Sequence, residues 1–203
     1  MKRILFIFLF CFVNFVFSQN VQLQFKSLGE YEDKKSIYLV DNGEQKPYDL
    51  IVDFYLDSYK KTNFQGISIV INQGEHDIFF NQLMNARQQF KTMFSKVDKE
   101  TSINQRVGRD LEVSINKWNS KYANVFSERT LNNEELVKSS FHIVNTDSGL
   151  VLRLTSNSSL LQNVKGVIFE FDSLKEINNL LKLLEVGFVR HQLHTELRKE
   201  NNK

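Results

Sequence analysis

Residues 63–72 read NFQGISIVIN, and residues 163–172 read NVKGVIFEFD. Each phrase sets an Asn three places before a Gly. After each Gly, apolar side chains alternate with other residues: Ile67, Ile69 and Ile71 in the first phrase, Val167, Phe169 and Phe171 in the second. A period of two is the mark of a strand with one buried face. Both phrases then turn to helix-starting residues. Asn72 is followed three places on by Glu75, and Ser173 by Glu176, the spacing of a capping box.

The likeness extends on both sides of the phrases. Residues 49–71 align with 149–171 without a gap, with Leu50/Leu150, Ser58/Ser158, Asn63/Asn163 and Gly66/Gly166 identical. Apolar positions also match: Ile51/Val151, Val52/Leu152, Phe54/Leu154, Phe64/Val164, Ile67/Val167, Ile69/Phe169 and Ile71/Phe171. Phe80/Leu180 and Leu83/Leu183 keep the register into the helices. The pattern predicts an internal duplication of a strand-rich unit closed by a helix, with halves at about 19–100 and 107–203. Gly66 and Gly166 would then hold equivalent backbone sites at the start of equivalent strands.

The remaining strands follow from the same alternation. They are expected around Val21, Leu23 and Phe25, at 36–41, at 49–57, around Leu111, Val113 and Ile115, around Phe141 and Ile143, and at Leu150, Leu152 and Leu154. Thr146-Asp147-Ser148-Gly149 reads as a tight turn. The first helix should bury Ile78, Phe80, Leu83, Met84, Phe90, Phe94 and Val97, with the Arg87 stem lying along that face. The second should bury Leu174, Ile177, Leu180, Leu181, Leu184, Phe188 and Leu197. Residues 98–109 read as a polar connection between halves, and 116–135 is the least readable stretch. The fold class is therefore α+β: a mainly antiparallel sheet with two long helices, in a single compact domain over 19–203. The alternative is one curved sheet gripping a helix, with a cavity between them.

The first eighteen residues have the pattern of a signal peptide. Lys2 and Arg3 precede an apolar run from Ile4 to Phe17, broken only by Asn14, and Ser18 precedes the polar Gln19. Fourteen residues are too few for a membrane span, which needs about 20. Cleavage after Ser18 removes two of the 26 basic residues and leaves 24 against 24 acidic ones. It also removes Cys11, the only cysteine, so the remaining chain has no disulfide, Cys-ligated metal or Cys nucleophile. A balanced charge without a basic–aromatic stripe argues against nucleic acid. The expectation is an exported protein, periplasmic rather than extracellular, with no membrane span once the signal is gone.

No motif for a known chemistry is present: no GxSxG, HExxH, phosphate-binding Gly loop or EF-hand spacing. His191 and His194 in HQLH stand three apart on a predicted helix and are the only candidate metal pair. With no third ligand evident, two solvated histidines are the simpler reading. His76 and His142 read as structural. Asp53, Asp57 and Glu170 lie on or near strands; alternation turns Asp53 to solvent or to the polar side of the sheet, and turns Glu170 away from the core. Glu30, Glu32, Asp33, Lys34 and Lys35 read as a solvated loop. Phe54, Tyr55, Phe64, Phe79, Phe80, Phe90 and Phe94 could fill a core or line a cavity, and close packing favours filling. Trp118, with Lys117 and Tyr122, falls in the least readable stretch.

No catalytic residue and no cofactor is assigned. The expected function is a non-enzymatic binding or assembly module of the bacterial envelope, with an envelope protein or an apolar ligand as partner. The alternatives are a carrier of an apolar small ligand, held between sheet and helix, and a hydrolase.

Overall fold

The computed structural model describes residues 24–32, 35–41, 48–55, 66–96, 102–118, 135–156 and 166–197. The signal-like segment 1–18, Asp57, Phe64, Val97, Tyr122 and most of 116–135 lie outside the described residues. Eight strands form one antiparallel sheet in chain order: β1 (Gln24–Glu32), β2 (Lys35–Asp41), β3 (Asp49–Tyr55), β4 (Gly66–Asn72), β5 (Asn104–Trp118), β6 (Glu135–Thr146), β7 (Gly149–Ser156) and β8 (Val167–Phe171). A long helix, α1 (Gln73–Phe94), follows β4. After β8 come α2 (Leu174–Leu183), α3 (Val186–Gln192) and a π-helical turn at Leu193–Leu197. The chain is α+β, as expected.

Alternation set the strands where it was clean. Leu50, Val52, Ile67, Ile69 and Ile71 share one face with Leu111, Val113, Ile115, Phe141, Ile143, Leu152, Leu154, Phe169 and Phe171, and all are buried. The helices cover this face. Each large side chain so removed from water is worth about 1.5–3 kcal/mol. α1 packs across β3 to β7, while α2 packs on the two edge strands, β1 and β8, and on α1. The opposite face carries a smaller buried cluster of Val40, Ile51 and Val70, with Tyr38 against it.

Three expectations about elements are corrected. The C-terminal helix is not one long rod. It stops at Leu184, and Glu185 caps a new helix by accepting from Gly187 N at 3.0 Å and Phe188 N at 2.5 Å. A carboxylate at such a start satisfies amides that have no helical partner. The buried face of α1 is His76, Phe79, Leu83, Ala86 and Phe90. Met84 and Phe94, expected inside, are 45% and 57% exposed. Leu83 and Phe90 lie inside as expected, Ile78 and Phe80 pack partly buried at the margin of the core, and the stripe the sheet accepts is centred on Phe79 and Leu83. Finally, β5 begins at Asn104, so the polar connection is shorter than 98–109. Arg106 and Arg109, placed in that connection, are strand residues that face water.

Among the described residues, four strands followed by a helix occur twice in chain order. The two glycines of the matching phrases nevertheless do different jobs. Gly66 lies inside β4, opposite Tyr55 on β3 and Trp118 on β5. Gly166 precedes β8 with φ +70°, and a Cβ there would stand 2.6 Å from the Ser156 carbonyl oxygen. The hairpins also differ in register. Leu50 faces Ile71 in the first, whereas Leu152, not Leu150, faces Phe171 in the second. A slip of two residues keeps every side chain on its own face.

Candidate functional site

The most developed surface lies along α1. Asn72 starts this helix, its side chain accepting from Glu75 N at 3.1 Å. Because Phe79, Leu83, Ala86 and Phe90 point to the sheet, Asn81, Met84, Asn85 and Gln88 point outward. Grooves lie on both sides of this ridge. One, of about 870 Å³, runs between α1 and α2, with Met84 and Leu181 among amides and charges that include Asn178, Lys182 and Arg87. Arg87 Nε donates to Asn178 Oδ1 at 2.6 Å and joins the two helices there. The other groove, of about 320 Å³, lies between α1 and β5 and is lined by Asp77, Ile78, Asn81, Gln82, Asn85 and Arg109.

An irregularity in β5 builds the second groove. Val107 faces Phe141 and Leu111 faces Ser139, so three residues, Gly108 to Asp110, oppose the single Ser140. Bulges of this kind redirect side chains. Arg106 and Asp110 brace the bulge with an ion pair at 2.8 Å. Gly108 has φ +74°, and a Cβ on it would stand 1.8 Å from Gln82 Oε1. Its lack of a side chain is what lets the Gln82 amide lie against the bulge backbone. That oxygen is buried with no hydrogen-bond partner. The guanidinium of Arg109 has no carboxylate partner among the described residues.

Two further polar centres are closed. At the start of α2, Glu176 Oε1 accepts from Lys35 Nζ at 2.9 Å, and Lys35 also pairs with Glu32. Burial and the adjoining Glu32 carboxylate push the Glu176 carboxyl up to about 8, against the pull of Lys35. Burial would raise Glu32 as well, but hydrogen bonds from Lys35 and Glu176 hold it below its ordinary value. In the second centre, His76 bridges Tyr48 and α2: its Nε2–H donates to the Leu184 carbonyl at 2.7 Å, and its Nδ1 accepts from the Tyr48 hydroxyl at 2.7 Å. Burial lowers the His76 pKa, so the ring is neutral at pH 7.

The residues singled out in the sequence do not converge. His191 and His194 are exposed, on α3 and on the π turn. Among the described residues no group of three or more His, Cys, Asp or Glu side chains comes together to hold a metal. His76 is structural, as read. His142 bonds Ser140 and Asn104 on the outer face, at 3.0 and 3.2 Å. Glu170 faces away from the core and pairs with Arg153 at 2.5 Å. Asp53 leaves the helix side for the other side of the sheet, as its alternation implied, and is buried there, 3% exposed, accepting from Ser68 Oγ at 2.5 Å. Glu32 and Lys35 belong to strands and meet Glu176, which corrects the solvated-loop reading for those two. Phe79 and Phe90 fill the core; Phe79 meets Phe141 edge-on at 5.8 Å between ring centres.

Sequence reasoning missed Gln82, Gly108 and Arg109 as a unit. The available signal was an isolated Gly inside a polar run beside an alternating strand, which marks a bulge. The repeat of Asn81 and Asn85 at helical spacing was a second signal. Comparisons with family models, curated proteins and solved structures return no match to this chain.

Proposed function

We propose that this chain is an exported, non-enzymatic binding module of the bacterial envelope and that it binds through the exposed ridge of α1. The observation that carries this reading is the pair of grooves flanking Asn81 and Asn85 on a helix whose inner face is filled. Binding surfaces are concave and mix apolar floor with a few aimed polar groups. Export rests on Lys2, Arg3 and the apolar run before Ser18. A carrier of an apolar ligand is less well supported, because Phe79, Phe90, Phe141, Phe169 and Phe171 occupy the space between helix and sheet. A hydrolase is less well supported, because the neighbouring carboxyls Glu32 and Glu176 are tied up by Lys35 at the foot of α2. A photo-crosslinking residue at Asn85, compared with one at Glu112 on the opposite face, tests the reading in cells. Adducts in the envelope fraction from position 85 alone support it. Equal yields from both positions, or material confined to the cytosol, overturn it.

We also infer that the two halves descend from one ββββα unit. In support, the strand order and the place of the helix repeat, and Leu50, Ile69 and Ile71 match Leu150, Phe169 and Phe171 in burial. The register slip and the unlike glycines are then later divergence. Distant relatives decide the matter: halves more alike in them than here support duplication, and halves less alike oppose it.

A further inference from the structure

Four features meet in the groove on the β5 side of α1. A bulge of three residues against one breaks the β5–β6 ladder. Gly108 takes a left-handed conformation there and leaves room for the Gln82 amide. Gln82 Oε1 is buried and unpaired. Arg109, carried on the bulge, lines the groove and has no carboxylate partner among the described residues. Such an arrangement disfavours the folded chain on its own: a left-handed backbone, an interrupted ladder and an unsatisfied acceptor each work against stability. Groups left in this state call for a use.

The charges define the occupant. Arg109 presents a planar donor fork suited to a carboxylate. Asp77, which lines the same groove, meets Arg190 only at 3.9 Å, with both side chains more than half exposed, so its carboxylate remains open to a second cation. Asn81 and Asn85, which line the same groove, offer neutral donors and acceptors on successive turns of α1. The volume, about 320 Å³, is at the small end for ligand pockets. We propose that this groove binds a small zwitterion of the amino-acid class, with Arg109 on the carboxylate, Asp77 on the ammonium group, and Asn81 and Asn85 offering further hydrogen bonds from the groove wall. Gln82 is a positioning residue: it seats the bulge that delivers Arg109. This inference rests on the reading of α1 as the binding face and names the ligand of one of its grooves.

The test is titration of the mature chain with individual L-amino acids, followed through backbone amide resonances. Parallel titrations use the same amino acids blocked as N-acetyl acids or as carboxamides. Free amino acids are expected to shift resonances in 77–85 and 108–110. Either block is expected to weaken binding by about tenfold or more, the loss of one charge-assisted contact. Arg109→Ala should abolish the preference for a free carboxylate, and Asp77→Asn the preference for a free amine. Lys182→Ala, in the other groove, should leave both preferences intact. Shifts confined to Met84, Leu181 and Lys182 would overturn this inference while leaving α1 as the binding face. Equal binding of blocked and free ligands, or no shift with any amino acid, would overturn it outright. If crosslinking at Asn85 also failed, the wider reading would fall with it.

Discussion

Glu176 on α2 accepts a hydrogen bond from Lys35 on β2 at 2.9 Å, across 141 positions of sequence. The contact ties the first turn of the helix to the β1–β2 hairpin, beside Glu32. It replaces half of a capping box. Ser173 Oγ still accepts from Glu176 N, at 3.3 Å, but the Glu176 carboxyl turns to Lys35.

A pH dependence follows from the raised Glu176 carboxyl. Its folded value, about 8, lies above the ordinary 4.5. The folded state therefore holds a proton that the unfolded state releases. The stability so gained is complete below pH 4.5 and is lost as pH rises through about 8. Glu32, held below its ordinary value, acts in the opposite sense and loses its contribution in acid. Urea midpoints measured upward from pH 7, above the range in which the lowered His76 and His142 titrate, should fall in the parent and stay flat in Glu176→Gln. A parallel fall in that variant would assign the effect to another group.

His76→Ala removes the bridge between Tyr48 and the Leu184 carbonyl and leaves both partners buried without it. Each orphaned group costs about 1–3 kcal/mol. Chemical denaturation should show a loss in that range or above. Tyr48→Phe, which strands only Nδ1, should lose less. A larger loss in Tyr48→Phe than in His76→Ala would contradict the assigned bonding.

Gly166→Ala forces a side chain onto a residue at φ +70° and against the Ser156 carbonyl. A destabilisation of about 1–3 kcal/mol is expected from strain of this kind. Gly149 is the control. Its φ of +124° is also left-handed, but no atom lies within 4 Å of the added carbon, so Gly149→Ala should cost less. Equal losses would show that close approach to Ser156 adds nothing.

Phe141→Ala opens the centre of the core beneath α1, where Phe79 lies against it. Large-to-small changes of an aromatic residue cost about 3–5 kcal/mol. Urea denaturation with an unchanged slope and a midpoint lowered to match would confirm a filled interior. A near-neutral result would mean that the space tolerates emptiness, as a ligand cavity does.

The double variant His191→Ala, His194→Ala should change stability by no more than about 0.5 kcal/mol, the usual range of exposed positions. Both rings are solvated, and the Thr195 hydroxyl bonds the His191 carbonyl, which survives the change. Melting curves with and without zinc check this. A zinc-dependent rise present in the parent and missing in the variant would establish the pair as ligands.

What the sequence determined by itself was local. Alternation in GISIVIN and VIFEF made β4 and β8, because period two can bury only one face of a strand. Asn72 and Ser173 started helices because their side chains reach amides that no helical carbonyl serves. The tertiary structure decided what local periodicity leaves open. It chose Phe79 over Phe80 as the inward residue of α1, since several stripes of an amphipathic helix are apolar enough and the facing sheet selects one. It split the last helix at Glu185, whose carboxylate serves as a cap only when α2 has already stopped. It brought Glu32 and Lys35 to Glu176, and Gln82 to Gly108, over separations that no spacing rule spans. It also gave Gly66 and Gly166 unlike tasks, because a ladder between two strands and a turn beside a carbonyl ask different things of the same residue.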